Sequence, residues 1–211
     1  MHAPFAELIA EFSRAINHLS AAEVEAHPRG DSSRWNTRQI VEHLALTYRV
    51  SGENLQTRLE KGRSTQYRPS LAQRSAKLVL LHFGYFPHGR PAPAAVTPLT
   101  EAAEAVGGAD LLALFGRELE TVDGILKACE GHFEETALAT HQLLGPLSVA
   151  EWRRFHVIHA RHHLKRIRGI NRPAYSPRAR SLGPEAEIPV DDSFAVKEDE
   201  EGCRAKEGSQ R

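Results

Sequence analysis

Helical periodicity runs through most of this sequence and predicts an all-α fold, a helix bundle interrupted by one long crossover. Three observations carry that expectation. Long segments repeat apolar residues at three- and four-residue spacing, while no stretch alternates apolar and polar residues far enough to predict a strand. Two of the long segments open on capping-box signatures, Asn36 with Gln39 and Ser148 with Glu151. A proline-rich stretch then separates the second long segment from the next. At 211 residues the chain suits one domain with a tail and can bury a sizeable core.

Residues 4–20 place Phe5, Leu8, Ile9, Phe12, Ile16 and Leu19 on one stripe, which predicts a first amphipathic helix. Pro28, Gly30 and Asp31 mark a loop. The second helix is expected from Thr37 to Glu60, behind the Asn36 cap. Residues 70–84 predict a shorter, apolar extra helix. Pro87, Gly89, Pro91, Pro93 and Pro98 enforce an extended crossover, because proline lacks a backbone donor and restricts the residue before it. The isolated Gly107–Gly108 pair lacks a phosphate-loop context and reads as a linker. Residues 109–129 carry Leu111, Leu112, Leu114, Phe115, Leu119, Val122, Ile125 and Leu126, a helix that Gly131 is expected to end. Ser148 then starts the last helix.

That last helix holds four histidines within eight residues, His156, His159, His162 and His163. At roughly 100° per residue, Trp152, Phe155, His156, His159, His163, Ile167 and Ile170 share a face, opposite Arg154, Arg161 and Arg168. Imidazoles thus occupy the stripe that should be buried, where they cost free energy unless hydrogen-bonded or coordinated. His159 and His163, one helical turn apart, can point ring nitrogens at a common ion. Core histidines with no ligand are the competing reading.

An open metal site takes three protein ligands and leaves a position free. His43 on the second helix is the candidate third. Ile40, Leu46, Thr47 and Val50 lie within about 60° of it around the helix, while Glu42, Ala45 and Arg49 point away. On spacing alone, a hydrogen-bonded core histidine explains His43 equally well.

The segment Trp35-Asn-Thr-Arg-Gln-Ile-Val-Glu-His43-Leu44 resembles the Trp…His-Leu segment of the DinB/YfiT-like superfamily, and His159-Ala-Arg-His-His163 is similar to that family's closing His-x-x-His-His motif. Phe86-Pro-His-Gly89-Arg90-Pro-Ala-Pro93 and the stretch from His141 to Trp152 look like an uncharacterised branch of it. The resemblance spans roughly residues 5–170. It implies a four-helix bundle of the DinB/YfiT-like type whose histidines bind a divalent metal ion, often zinc or nickel. By motif position the ligands are His43, His159 and His163. It also implies a small-molecule substrate, with low-molecular-weight thiols used by some relatives as co-substrates in transferase or isomerase chemistry, and it admits a homodimer. One departure stands out. Relatives often carry Gln three residues after the final histidine, where this chain has Arg166, a cation that either repels the metal or recruits an anionic substrate.

The other candidates are open between two roles. His156 is a fourth ligand or proton shuttle, or is simply packed. His141 caps the site, or serves a turn. His162 is peripheral, and Trp35 and Trp152 read as core anchors. No Ser-His-Asp arrangement or paired-carboxylate signature is present, so no catalytic residue is assigned.

Composition narrows the function classes. Lys+Arg and Asp+Glu both total 27, so no global charge points to nucleic acid or to an anionic membrane. The longest apolar run, Leu78–Phe86, is too short to span a bilayer, and Glu7 and Glu11 interrupt any signal-peptide pattern. Cys129 and Cys203 are too few for a disulfide framework, which fits a reducing compartment. The expectation is a cytoplasmic protein with a folded region over residues 1–170. Residues 171–211, with four prolines, clustered arginines and the run Lys197-Glu-Asp-Glu-Glu201, are expected to be a disordered charged tail. Two function classes follow: a metal-dependent transferase or hydrolase using a small thiol or water as nucleophile, and a non-catalytic bundle that binds metal or a small molecule.

Overall fold

The first helix begins where Pro4, with no backbone donor to lose, sits in the opening turn. A computed structural model describes residues 1–86, 91–100, 104–133 and 136–171. Helix α1 (Ala3–Ile16) buries Phe5, Leu8, Phe12 and Ile16, the stripe expected from its spacing. Ser20 and Glu23 then cap each other's backbone amides to open α2 (Ala21–Glu25), a short helix absent from the sequence reading. Its capping signature was present, but a single buried apolar residue, Val24, gave no periodicity to detect.

Helix α3 (Thr37–Lys61) starts on the expected reciprocal cap between Asn36 and Gln39 and stops at Gly62, which adopts the left-handed conformation that glycine tolerates best. Its buried surface is wider than a single stripe. Ala45, expected to point outward, is buried, whereas Val50 is exposed. The reason is that α3 is packed on several sides, against α5, α6, α2 and the segment around Val96.

The extra helix differs from expectation. Regular α4 covers only Leu71–Lys77 and passes into a wider π turn over Leu78–His82. That turn carries the consecutive Leu80 and Leu81 both into the core. Leu71 and Phe83 stay 79% and 70% exposed, so most of this segment's apolar face is not buried.

Helix α5 (Gly108–Phe133) runs past Gly131, which was expected to end it. A mid-helix glycine costs about 1 kcal/mol relative to alanine, and burying the Phe133 side chain, worth about 2 kcal/mol, outweighs it. Gly108 is not part of a linker. Its amide donates to the Leu19 carbonyl at 2.8 Å, and a Cβ there would lie 1.7 Å from the Ile16 oxygen. Glycine lets the start of α5 seat directly on the end of α1.

A small antiparallel hairpin follows, β1 (Ala139–His141) with β2 (Gly145–Leu147), register Ala139 opposite Leu147. Three-residue strands are too short for alternation to appear in sequence. Ser148 and Glu151 form the second expected cap, and α6 (Val149–Ile170) carries the histidines.

The four long helices contact one another. Helix α3 runs along α5, α1 packs on α5 and α6, and α6 touches α3 and α5. Phe12 and Phe115 stack at 4.0 Å at the α1–α5 contact. Fully buried Arg38 ties the other end together: it pairs with Glu25 and Glu42 and donates to the carbonyls of Leu99 and Thr100. The described residues, which end at Asn171, fall in one compact unit. The expected tail beyond Asn171, Cys203 within it, and Pro87 and Gly89 of the crossover lie outside the described residues. No helix among the described residues is long and apolar enough to cross a membrane.

Candidate metal centre

Helical geometry puts His159 and His163 on successive turns of the buried face of α6, and the packing of α3 against α6 brings His43 to them. All three are buried. The Nε2 of His159 lies 3.2 Å from that of His43 and 3.1 Å from that of His163. One ring nitrogen from each residue falls within 4.8 Å of the other two. Ligand nitrogens about 2.1 Å from a tetrahedral ion lie about 3.4 Å from each other. The convergence expected from sequence is present, and neither α6 histidine nor His43 points to solvent.

The protonation pattern favours donation to a cation. The Nδ1–H of His43 donates to the Val96 carbonyl at 2.7 Å, which leaves its Nε2 lone pair facing the other two rings. Burial holds His43 below the ordinary imidazole range against the opposing pull of that carbonyl. Burial likewise holds His159 and His163 well below it, reinforced by neighbouring histidines. All three rings are therefore neutral at physiological pH. A proton on the Nε2 of His163 satisfies its contact with His159 and leaves His159 and His43 lone pair against lone pair, whereas a single proton on the Nε2 of His159 cannot point at both neighbours at once. A divalent ion at the shared point relieves that repulsion and uses all three donors.

Aromatic rings wall the cluster. Phe86 and Phe155 stack on the His159 ring, at 5.1 Å with 15° between planes and at 5.4 Å with 21°. Trp35 tilts over His43 at 5.0 Å, and the Arg166 guanidinium lies over Trp35 at 5.9 Å. Trp152 is a core anchor as expected, whereas Trp35 is only half-buried and borders the cluster.

The remaining histidines separate cleanly. His156 is not part of the ligand group; its ring is fully buried among Tyr48, Trp152 and Phe155. Neither of its nitrogens has a hydrogen-bond partner among the described residues, and burial pushes it down to about 3. His141 serves the hairpin turn: its Nδ1 accepts the amides of Leu143 and Leu144, and burial lowers it to about 4. His162 is half-buried and packs on Phe86 at 4.8 Å. Buried Cys129 is a free thiol whose pKa is raised by burial, the behaviour of a packed rather than a reactive cysteine.

A family model described as "Protein of unknown function (DUF1569)" matches residues 118–169. The match covers much of α5, the hairpin and nearly all of α6, and so includes His159 and His163 but not His43. Neither the curated proteins nor the solved structures contain a match to this chain.

Two contributors to the site were missed in the sequence. The Val96 carbonyl that orients His43 is a backbone group from the short 3-10 turn Ala94–Val96, and no side-chain pattern marks it. Phe86 belonged to the apolar run Leu78–Phe86, where nothing distinguished a residue stacked on a histidine from ordinary core.

Proposed function

We propose that this chain is a DinB/YfiT-like four-helix bundle whose His43, His159 and His163 hold a divalent metal ion, zinc or nickel, at an open site. One observation carries the reading: three buried, neutral imidazoles converge through their Nε2 atoms, with one of them oriented from behind by a backbone carbonyl. The order of the two histidine motifs along the chain supports it, as does the contact between the helices that bear them.

When bound by three neutral ligands, such an ion keeps its full charge and lowers the pKa of a water or thiol in its remaining position. We infer a metal-dependent transferase or hydrolase of the cytoplasm, acting on a small molecule with a low-molecular-weight thiol or water as nucleophile. The protein's own residues supply orientation and exclusion of water. Val96 fixes the His43 tautomer, and Phe86 and Phe155 both stack on His159.

The test is the metal content of untagged full-length protein, measured beside His163→Ala. Near-stoichiometric zinc or nickel in the parent, its loss in the variant, and unchanged helical circular dichroism are expected. A metal-free parent that also fails to take up added zinc or nickel overturns the reading. A screen of the loaded protein with small thiols and electrophiles then separates an enzyme from a binding module, which would take up thiol without turnover.

A further inference from the structure

Arg166 stands beside the histidine cluster with no counter-ion among the described residues. Its guanidinium is half-buried and lies over the Trp35 ring, the same indole that tilts over His43. Its charge is felt at both His43 and His163, where it helps hold the rings neutral. Among the described residues no carboxylate pairs with it; the one charged neighbour that perturbs it is a second cation, Arg34, whose side chain has no ion-pair partner either. Arg38, Arg49, Arg153 and Arg161 each face a carboxylate, and Arg14, Arg29 and Arg154, which do not among the described residues, are exposed to solvent, unlike half-buried Arg166. Among the described residues, half-buried Arg166 beside the cluster and exposed Arg34 near it repel each other with no carboxylate between them, an arrangement that an anion would make favourable.

We propose that Arg166, assisted by Arg34, binds the carboxylate of a small anionic substrate whose other end reaches the metal position, with the Trp35 face as the floor between them. This inference rests on the metal reading above. The guanidinium fork supplies paired donors to a carboxylate, and the half-buried setting strengthens each of them. Because anion and metal would stabilise one another, each should tighten binding of the other by the same factor.

The experiment uses full-length protein loaded with cobalt(II), whose visible bands report coordination and whose thiolate charge-transfer band reports thiol binding. Mercaptoacetate and 2-mercaptoethanol are titrated as a carboxylate-bearing thiol and its neutral counterpart. The quantity read is the ratio of their affinities in the parent divided by the same ratio in Arg166→Gln. A charge-assisted contact predicts a value on the order of 10 to 100 in favour of mercaptoacetate, with Arg166→Lys in between. A value near 1 overturns the proposal, including the case in which another part of this chain already occupies Arg166. If the parent shows no cobalt bands at all, the metal reading has failed and this inference fails with it. Cobalt bands without carboxylate preference remove this inference alone.

Discussion

Replacing Arg38 with methionine should weaken the fold at the end that positions His43. The side chain is fully buried, pairs with Glu25 and with Glu42 at 2.7 Å, and donates to the carbonyls of Leu99 at 3.3 Å and Thr100 at 3.2 Å. Methionine keeps the apolar bulk and removes every donor, leaving two carbonyls without that partner and two carboxylates unpaired. Breaking a buried ion pair costs about 3–5 kcal/mol. Glu25 and Glu42 retain 39% and 24% of their side-chain exposure, so they rehydrate in part, and the lower end applies, about 3 kcal/mol. For a folded region of this size that corresponds to a drop in melting temperature of about 6–12 °C. Urea unfolding followed by circular dichroism at 222 nm measures it directly, and Arg38→Lys should fall between parent and Arg38→Met because a single ammonium cannot reproduce the fork. The segment that Arg38 holds also carries Val96, so metal affinity should fall along with stability. A loss under about 1 kcal/mol in Arg38→Met would refute the claim that this arginine ties α2, α3 and the crossover together.

Three further outcomes follow from particular contacts. Gly108→Ala should destabilise by about 1–3 kcal/mol although alanine is the better helix former, because its Cβ would press on the Ile16 backbone oxygen at 1.7 Å; a stabilised variant in chemical denaturation would show that α5 does not seat on α1 as described. His156→Leu should leave the stability of metal-free protein unchanged or raise it by about 1–2 kcal/mol, since both imidazole nitrogens are buried without partners; a loss above about 2 kcal/mol would mean that the ring is hydrogen-bonded in solution. His141 and His156 stay neutral in the folded protein down to about 4 and about 3, and each takes up a proton on unfolding below the ordinary imidazole value of 6.5. Stability of metal-free protein should therefore fall with decreasing pH, by about 1.4 kcal/mol per pH unit for each below about pH 6, and a flat urea midpoint between pH 7 and pH 5 would contradict this.

The candidate site was partly legible in the sequence: the fixed angular step of a helix assigns each histidine a face, while the grouping of these three as ligands came from the resemblance to the DinB/YfiT-like superfamily. His43, His159 and His163 all fall on stripes that a stable helix must bury. What periodicity cannot supply is which helices touch and which backbone groups arrive from loops. The His43–His159 contact joins residues 116 apart, and the Val96 carbonyl comes from a proline-rich stretch with no repeating pattern. The fold divided along the same line. The caps at Asn36 and Ser148 fell where expected, since capping is local chemistry between residues three apart. Gly108 and Gly131 were read the wrong way because a glycine's role depends on what lies against it: at Gly108 another helix leaves no room for a Cβ, whereas at Gly131 the burial of Phe133 carries the helix onward. The wide buried surface of α3 blurred its stripe for the same reason, as neighbours on several sides bury Ala45 along with His43.

X-ray absorption at the zinc edge of zinc-loaded, untagged full-length protein tests the central claim most directly. The account predicts three imidazole nitrogens and one further light ligand at about 2.0–2.1 Å, with the multiple-scattering signature of histidine rings. One imidazole or none, or a shell dominated by sulfur, would contradict the assignment of His43, His159 and His163 as the ligands.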